Sequence, residues 1–418
     1  MMTPETYRNR RIVLAQRVGH PILLFAGLEQ PHCQFLQDSN FYYFTGLTEP
    51  GFACLIMPDG QSTLFVPCYA ELRAKWMGTE SRYDDAYAKK YGFERLEQLG
   101  AVCSGYSMSL FDRAEVWSNL GAKLEELVGA ERRLATVFEH ALWLRMQLLV
   151  PELTQRTVSC AAGIAAMRRA KDRDEIEPLF RAGAVTALAQ QAAVWALGDG
   201  IAEADVLAGM RYVFTQEGAR EAFPTIIAGG ERATILHYAE ASGTLKNGEC
   251  VIIDSGAQVD HYCADVTRTY PVSGSFSKRQ REVYEAVLTT QLTLAEEIKP
   301  GWWIRNDDEP QLSLHHRAKE LLAQHGLAEY FTHGIGHFLG LDVHDVGDRT
   351  LPLAEGDVIT IEPGVYLPDE GLGVRIEDDF WVVKNGAVCI TDDLPCEASE
   401  VEDFVKSSRE LPRSKGKS

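Results

Sequence analysis

Basic charge is in short supply, with 41 Lys and Arg set against 60 Asp and Glu for a formal charge of −19. A surface of that sign repels phosphate backbones and anionic headgroups, which excludes nucleic acid as a partner. No apolar run reaches the roughly 18 residues of a membrane span, so no membrane association is expected. The chain also has no C-x-x-C pair, and its nine cysteines are odd in number and scattered. Neither a disulfide framework nor a zinc ribbon follows from such spacing, and a reducing cytoplasmic setting is expected. After the basic positions Arg8, Arg10 and Arg11, the apolar stretch 21–28 is too short for a secretion signal and ends without a small-residue cleavage site.

At 418 residues the chain exceeds one ordinary core and fits two domains. In the first third, the apolar runs 22–25, 52–56 and 63–66 predict buried strands, with Pro58-Asp59-Gly60 as a hairpin turn. Helical spacing at 93–99 and 120–127 completes a small α/β domain over 1–155. The second part, 156–405, opens with a long amphipathic helix over 171–197 and another beginning at Glu203. Segment 249–272 reads as a hairpin turning near 258–260, and 276–298 as a helix capped by Ser275 or Ser277. A further helix over 311–325 closes at Gly326, and 357–367 and 373–383 read as two final strands. Residues 406–418 read as a polar tail. His315-His316 is expected to be exposed and incidental, Trp302-Trp303 to pack in a core or interface, and Asp38 to cap a helix, hold a turn or reach a neighbouring subunit's site.

The C-terminal half carries four carboxylates and one imidazole in Gly-punctuated strands and loops: Asp254, Asp265, His337, Glu362 and Glu377. Four acids supply the charge needed to hold two dications close together, and a single imidazole leaves the site oxygen-rich, which suits Mn, Co or Zn. Metal-assisted hydrolysis is the chemistry such a set serves. Each residue alone has an ordinary reading: a turn aspartate, a surface ion pair, a satisfied core histidine, a solvated acidic run over 377–379. The five together are poorly explained that way. Period-2 alternation places Arg375 with Glu377, and Glu362 with Thr360, so both glutamates can reach one cavity from adjacent strands.

The strings Thr234-Ile235-Leu236-His237-Tyr238, Ile253-Asp254-Ser255-Gly256, Asp265-Val266-Thr267-Arg268-Thr269, the loop 333–345, Ile361-Glu362-Pro363-Gly364 and Gly373-Val374-Arg375-Ile376-Glu377 resemble the pita-bread metallopeptidases, in particular aminopeptidase P and prolidase. Residues 37–46 and Thr48-Glu49-Pro50 resemble the creatinase-like first domain of that branch. The resemblance implies an α/β N-terminal domain followed by an α+β pita-bread catalytic domain. It implies that Asp254, Asp265, His337, Glu362 and Glu377 ligate two divalent ions, usually manganese. It further implies that His237, His333 and His344 face the substrate, that Arg375 is a site arginine and that Glu362 relays a proton. Proline-containing peptides are then the substrates, cut at the Xaa-Pro bond, and a homo-oligomer, dimer or tetramer, is expected. The alternatives are a prolidase restricted to dipeptides, towards which Thr48-Glu49-Pro50-Gly51 and Trp76-Met77-Gly78 lean, and a non-enzymatic pita-bread peptide-binding module. Creatine-type amidinohydrolase chemistry would lack the full carboxylate set. Segments 366–373 and 348–355 are short beside many relatives, so the walls gripping the residue after proline are expected to differ.

Overall fold

The computed structural model describes residues 2–29, 33–69, 75, 83–103, 114–129 and 132–410. Trp76-Met77-Gly78 and residues 411–418 lie outside the described residues. The chain divides into two compact units, 1–168 and 169–418.

The first unit is built on a six-stranded sheet in the order β4-β3-β2-β1-β5-β6. Its strands are β1 (Ile22–Phe25), β2 (Ala53–Ile56), β3 (Ser62–Tyr69), β4 (Arg95–Cys103), β5 (Leu134–Thr136) and β6 (Thr157–Ser159). β1, β2 and β3 pair antiparallel, and Gly60 in the turn between β2 and β3 has φ 86°. That conformation is one glycine adopts without steric cost. Because β6 pairs with β5, this unit runs past residue 155 and ends with the helix Ala161–Arg169. One expectation fails here. Residues 93–99 are not helical, because 95–98 join β4 and pair parallel with Thr63 to Val66. Pairing to a preformed neighbour outweighs a three-residue spacing of apolar side chains. Asp38 caps the helix Ser39–Thr45, its carboxylate accepting from the Phe41 amide at 2.8 Å.

In the second unit the helix Arg173–Ala196 starts at a capping box, where Asp172 accepts from the Glu175 amide and Glu175 accepts from the Asp172 amide. The helix Glu203–Gln216 packs along it. Their inner faces join one apolar core with Val251, Ile253, Tyr284, Ile359, Val374 and Phe380. After the short β7 (Arg220–Glu221), three strands, β8 (Ile226–Gly229), β9 (Cys250–Ser255) and β12 (Val266–Pro271), form an antiparallel sheet with β9 central. Between β9 and β12 lies a smaller hairpin, β10 (Ala257–Val259) and β11 (Tyr262–Cys263). Its tip is Asp260-His261, both at positive φ (48° and 71°), two residues beyond the centre of the expected turn. The helix Lys278–Glu297 begins at Ser277, and Leu314–Ala323 begins at Ser313, each through a side-chain cap.

The two final strands of the sequence reading are four. Residues 357–367 split into β13 (Val358–Ile361) and β14 (Gly364–Leu367), and 373–383 into β15 (Leu372–Arg375) and β16 (Asp378–Val383). β13 pairs with β16, whereas β14 pairs with β15. The first break falls at Glu362-Pro363, where proline has no N–H for a ladder. The second falls at Ile376-Glu377, where the Glu377 amide turns to the Thr267 carbonyl at 3.0 Å. A strand over Gly386–Cys389 and a helix over Ala398–Glu410 carried no clear sequence signal. That helix includes Lys406 to Glu410, placed in the tail from sequence, and its Ser408 is buried against the helix Arg173–Ala196, Oγ donating to Val194 O at 3.3 Å. His315 is also buried, 5% exposed, with its ring 5.2 Å from that of Phe331. The helix turns Leu314, Ala318 and Leu322 inward and carries His315 with them. Trp302 packs in the core.

Candidate metal centre

Both strand breaks leave a carboxylate at the end of a ladder, free to point away from it. Glu362 follows β13, and Glu377 sits between β15 and β16, bridged to Thr267. Asp254, near the end of β9, is opposite Thr267, and Asp265 lies two residues before Thr267, so the two aspartates are diagonal neighbours on one face rather than directly opposed. His337 arrives from the loop after Gly336, where a Cβ would collide with the Thr360 carbonyl oxygen. Glycine at this point lets the loop lie against β13, with Thr360 N donating to His337 O at 3.0 Å.

These five residues, with His237, His333, His344 and Arg375, line one cavity of about 450 Å³. Asp265, His337 and Glu377 offer ligand atoms within 4.8 Å of one another. His337 Nε2 lies 3.5 Å from Asp265 Oδ2 and 3.7 Å from Glu362 Oε1. Asp254 sits against the Arg375 guanidinium, Oδ2 to Nη2 at 2.6 Å.

The donor set fits a divalent ion on two observations. The Oδ1 atoms of Asp254 and Asp265 are buried without a hydrogen-bond partner, a costly state for a carboxylate unless a cation satisfies it. His337 Nδ1 is 3.1 Å from the Phe338 carbonyl, which can only accept, so Nδ1 carries the proton and the Nε2 lone pair faces the carboxylates. Electrostatics agree. Burial first, then Glu377, Asp254 and other acids, hold Asp265 well above the usual carboxylate range. Burial and the neighbouring Glu362 and Asp254 do the same to Glu377. Burial pushes Glu362 up to about 8, opposed by Arg375, and lowers His337 to about 4.

A testable consequence concerns the metal-free protein. Acids whose folded pKa lies above the unfolded one keep protons that the unfolded chain releases, so the stability they contribute is lost as pH rises through the folded value. Above about pH 7.5 the buried histidines are almost wholly neutral in both states and add little to the slope. The melting temperature of chelated protein is therefore expected to fall between about pH 7.5 and 9, and saturating divalent metal to remove that fall. A melting temperature that rises over this window without metal would contradict the crowding of acids.

The remaining candidates divide by exposure. His333 is half-buried, and its Nδ1 is 2.8 Å from Gly334 O. Burial, then Arg375, lowers its pKa to about 4, so the ring is neutral and Nε2 accepts from the Tyr366 hydroxyl at 2.9 Å. Tyr366 in turn accepts from Arg375 Nη1 at 2.8 Å. His344 and His237 are exposed at the cavity, and the His344 ring lies edge-on to His337 with centroids 4.3 Å apart. Residues not singled out in the sequence complete the surroundings. Thr267 donates to Glu377 at 2.7 Å, Tyr366 links Arg375 to His333, and Arg349 lines the mouth. Glu203, fully buried, accepts from Gly229 N, Arg232, Tyr238 and Gly243 N, which fixes both ends of the loop carrying His237. No local pattern marks this hub, because its partners lie 26 to 40 residues from Glu203 along the chain.

Acid-rich strand breaks gathered with one metal-competent imidazole, in a unit separate from an α/β first unit, fit the class of metal-dependent hydrolases. Residues 177–384 match metallopeptidase family M24, and residues 7–117 match the aminopeptidase P N-terminal domain. The Xaa-Pro aminopeptidase of Haemophilus influenzae is 31% identical over 95% of this chain and 96% of its own length. The Xaa-Pro dipeptidase of Pyrococcus furiosus is 32% identical over 84% of this chain and 90% of its own. The structure of Escherichia coli aminopeptidase P with the inhibitor Pro-Leu superposes with a TM-score of 0.84 at 27% identity, covering 98% of this chain and 100% of that one. The chain belongs to metallopeptidase family M24, with an aminopeptidase P type N-terminal domain.

Proposed function

We propose that this chain is an Xaa-Pro aminopeptidase, removing the residue before a penultimate proline from peptides. The single observation that carries the reading is the cavity that gathers Asp254, Asp265, His337, Glu362 and Glu377, with two orphaned aspartate oxygens. These five residues would hold two divalent ions, manganese first, with zinc or cobalt as substitutes. When bound, the ions supply Lewis acidity towards the carbonyl before proline and lower the pKa of water to near neutrality.

The chain's own groups do the rest. Asp254 and Glu362 present negative charge to the free α-ammonium of the substrate, a physical reason for exopeptidase action. Glu362 takes a proton from the attacking water and passes it towards the imino nitrogen of proline, which as a tertiary amide has no hydrogen of its own. His344 donates to the developing oxyanion or the leaving group, His333, with its N–H given to Gly334 O and its Nε2 accepting from Tyr366, shapes that side of the cavity facing the substrate, and His237 orients the peptide. Arg375 holds Asp254 in place and, through Tyr366, holds His333.

The reading extends to a homo-oligomer in a reducing cytoplasm. It is supported by exposed Phe180, Leu188 and Trp195 along the helix Arg173–Ala196 and by free cysteines throughout the described residues. The domain order belongs to the same reading, a creatinase-like domain followed by a catalytic domain, with the boundary moved from residue 155 to 168 and the last helix of the catalytic domain reaching Glu410. A matched pair of substrates tests the activity: an Xaa-Pro-Yaa tripeptide and an Xaa-Pro dipeptide, assayed on stripped protein with manganese, cobalt or zinc restored. Faster hydrolysis of the tripeptide is expected. Dipeptide-only cleavage would move the protein to the prolidases, and cleavage that survives chelation would end the metal mechanism.

A further inference from the structure

The loop 333–345 is anchored at two places. The first half, with His337, is sewn to β13: Thr360 Oγ1 accepts from His337 N at 3.2 Å, and Leu339 N reaches Val358 O at 3.0 Å. The second half, which carries His344, is held by other contacts, among them the strand β11 through Cys263. It folds back so that Asp345 N reaches Phe338 O at 2.9 Å, and Gly340 O accepts from Cys263 N at 2.8 Å. At that point Asp345 Oδ2 meets Lys171 Nζ at 2.9 Å, with both side chains 1% exposed. The Lys171 backbone is itself fixed, its amide donating to Gly356 O at 2.8 Å just before the capped helix Arg173–Ala196. Gly340 leaves room for the pair, since a Cβ there would strike the Asp345 carboxylate and the end of Lys171.

A buried ion pair is weak evidence for stability, because removing two charges from water offsets most of their attraction. What it supplies without ambiguity is a fixed distance between two segments 174 residues apart in sequence. From this we infer that Lys171 is a positioning residue for the reaction: through Asp345 it holds the His344 half of the loop in register with the cavity, while His337 is held separately. The inference rests on the aminopeptidase reading given above.

The test uses full-length, manganese-loaded protein and an Xaa-Pro-Yaa tripeptide. Lys171→Met alone takes the counter-ion from the buried Asp345 carboxylate and is expected to lower the melting temperature. The double variant Lys171→Met/Asp345→Asn removes both charges and is expected to recover most of that loss. Its kcat should nonetheless remain about 10- to 100-fold below the parent, the scale on which small misplacement of a reacting group acts. KM should stay within about twofold, and bound metal per chain should be unchanged. A double variant with restored melting temperature and parental kcat would show that the pair is only structural and overturn the inference. So would a loss of bound metal that accounts for the lost rate, because the tie would then serve His337. In the event that neither double nor single variant folds, Lys171→Arg, which keeps the charge and alters its geometry, decides by the same kcat and metal readouts. A parent protein inactive on the tripeptide would refute the aminopeptidase reading itself, a result distinct from any of these.

Discussion

Asp265→Ala is expected to lower kcat on an Xaa-Pro tripeptide by about 10³-fold or more, even with manganese in excess. Several kcal/mol of transition-state stabilisation are at stake in metal-assisted hydrolysis, and each 1.36 kcal/mol is about a factor of ten. Asp265 is the acid nearest the metal-facing nitrogen of His337, and its second oxygen has no protein partner. Removing it deletes a proposed ligand while leaving the surrounding ladders intact. The same substitution relieves crowding, since Asp265 is held well above the ordinary carboxylate range by burial and by four neighbouring acids. Chelated Asp265→Ala protein should therefore melt no lower than the chelated parent at pH 8. Activity near the parental level after stripping and reconstitution would sink the five-ligand assignment; a collapse in stability would show that the aspartate acts in the fold instead.

Arg268→Met is expected to destabilise the second unit by about 3–5 kcal/mol, the usual result of stranding one member of a buried charge pair. The guanidinium is 1% exposed and donates to Asp378 Oδ1 at 2.8 Å, to Glu377 O at 2.8 Å and to Thr267 O at 3.1 Å. Asp378 is held further by Gln291 at 2.8 Å and Thr391 at 2.8 Å. Loss of the arginine thus leaves a carboxylate and two carbonyls short of donors at the strand break that delivers Glu377. Urea denaturation measures the effect, and adding Asp378→Asn should recover at least half of it. A midpoint within experimental scatter of the parent would mean that water or neighbouring donors replace Arg268 fully.

The acids and the imidazole were legible because their chemistry is carried by residue type and order along the chain. The helix Arg173–Ala196 was legible because its cap and its apolar face are local. What could not be read depends on partners far away in sequence. Residues 93–99 became a strand because β3 was there to pair with, and the breaks at Glu362 and Glu377 arise from where β16 and Thr267 lie. Tyr366 carried no sign of its link between Arg375 and His333, since only the antiparallel register Gly364 to Arg375 brings them together. His315 was misread for the same reason: one helical position decides between water and a packed ring.

The hairpin of β14 and β15 separates two jobs along its length. Its base is pinned where Gly364 faces Arg375, next to the acids, while its tip at Pro368–Glu370 is tied at the surface by Arg279 to Glu370. The tip lines no part of the cavity, so residues added or removed there leave Arg375 and the carboxylates at the base in place, and the surface outline of the unit can change while the chemistry beneath it stays as it is.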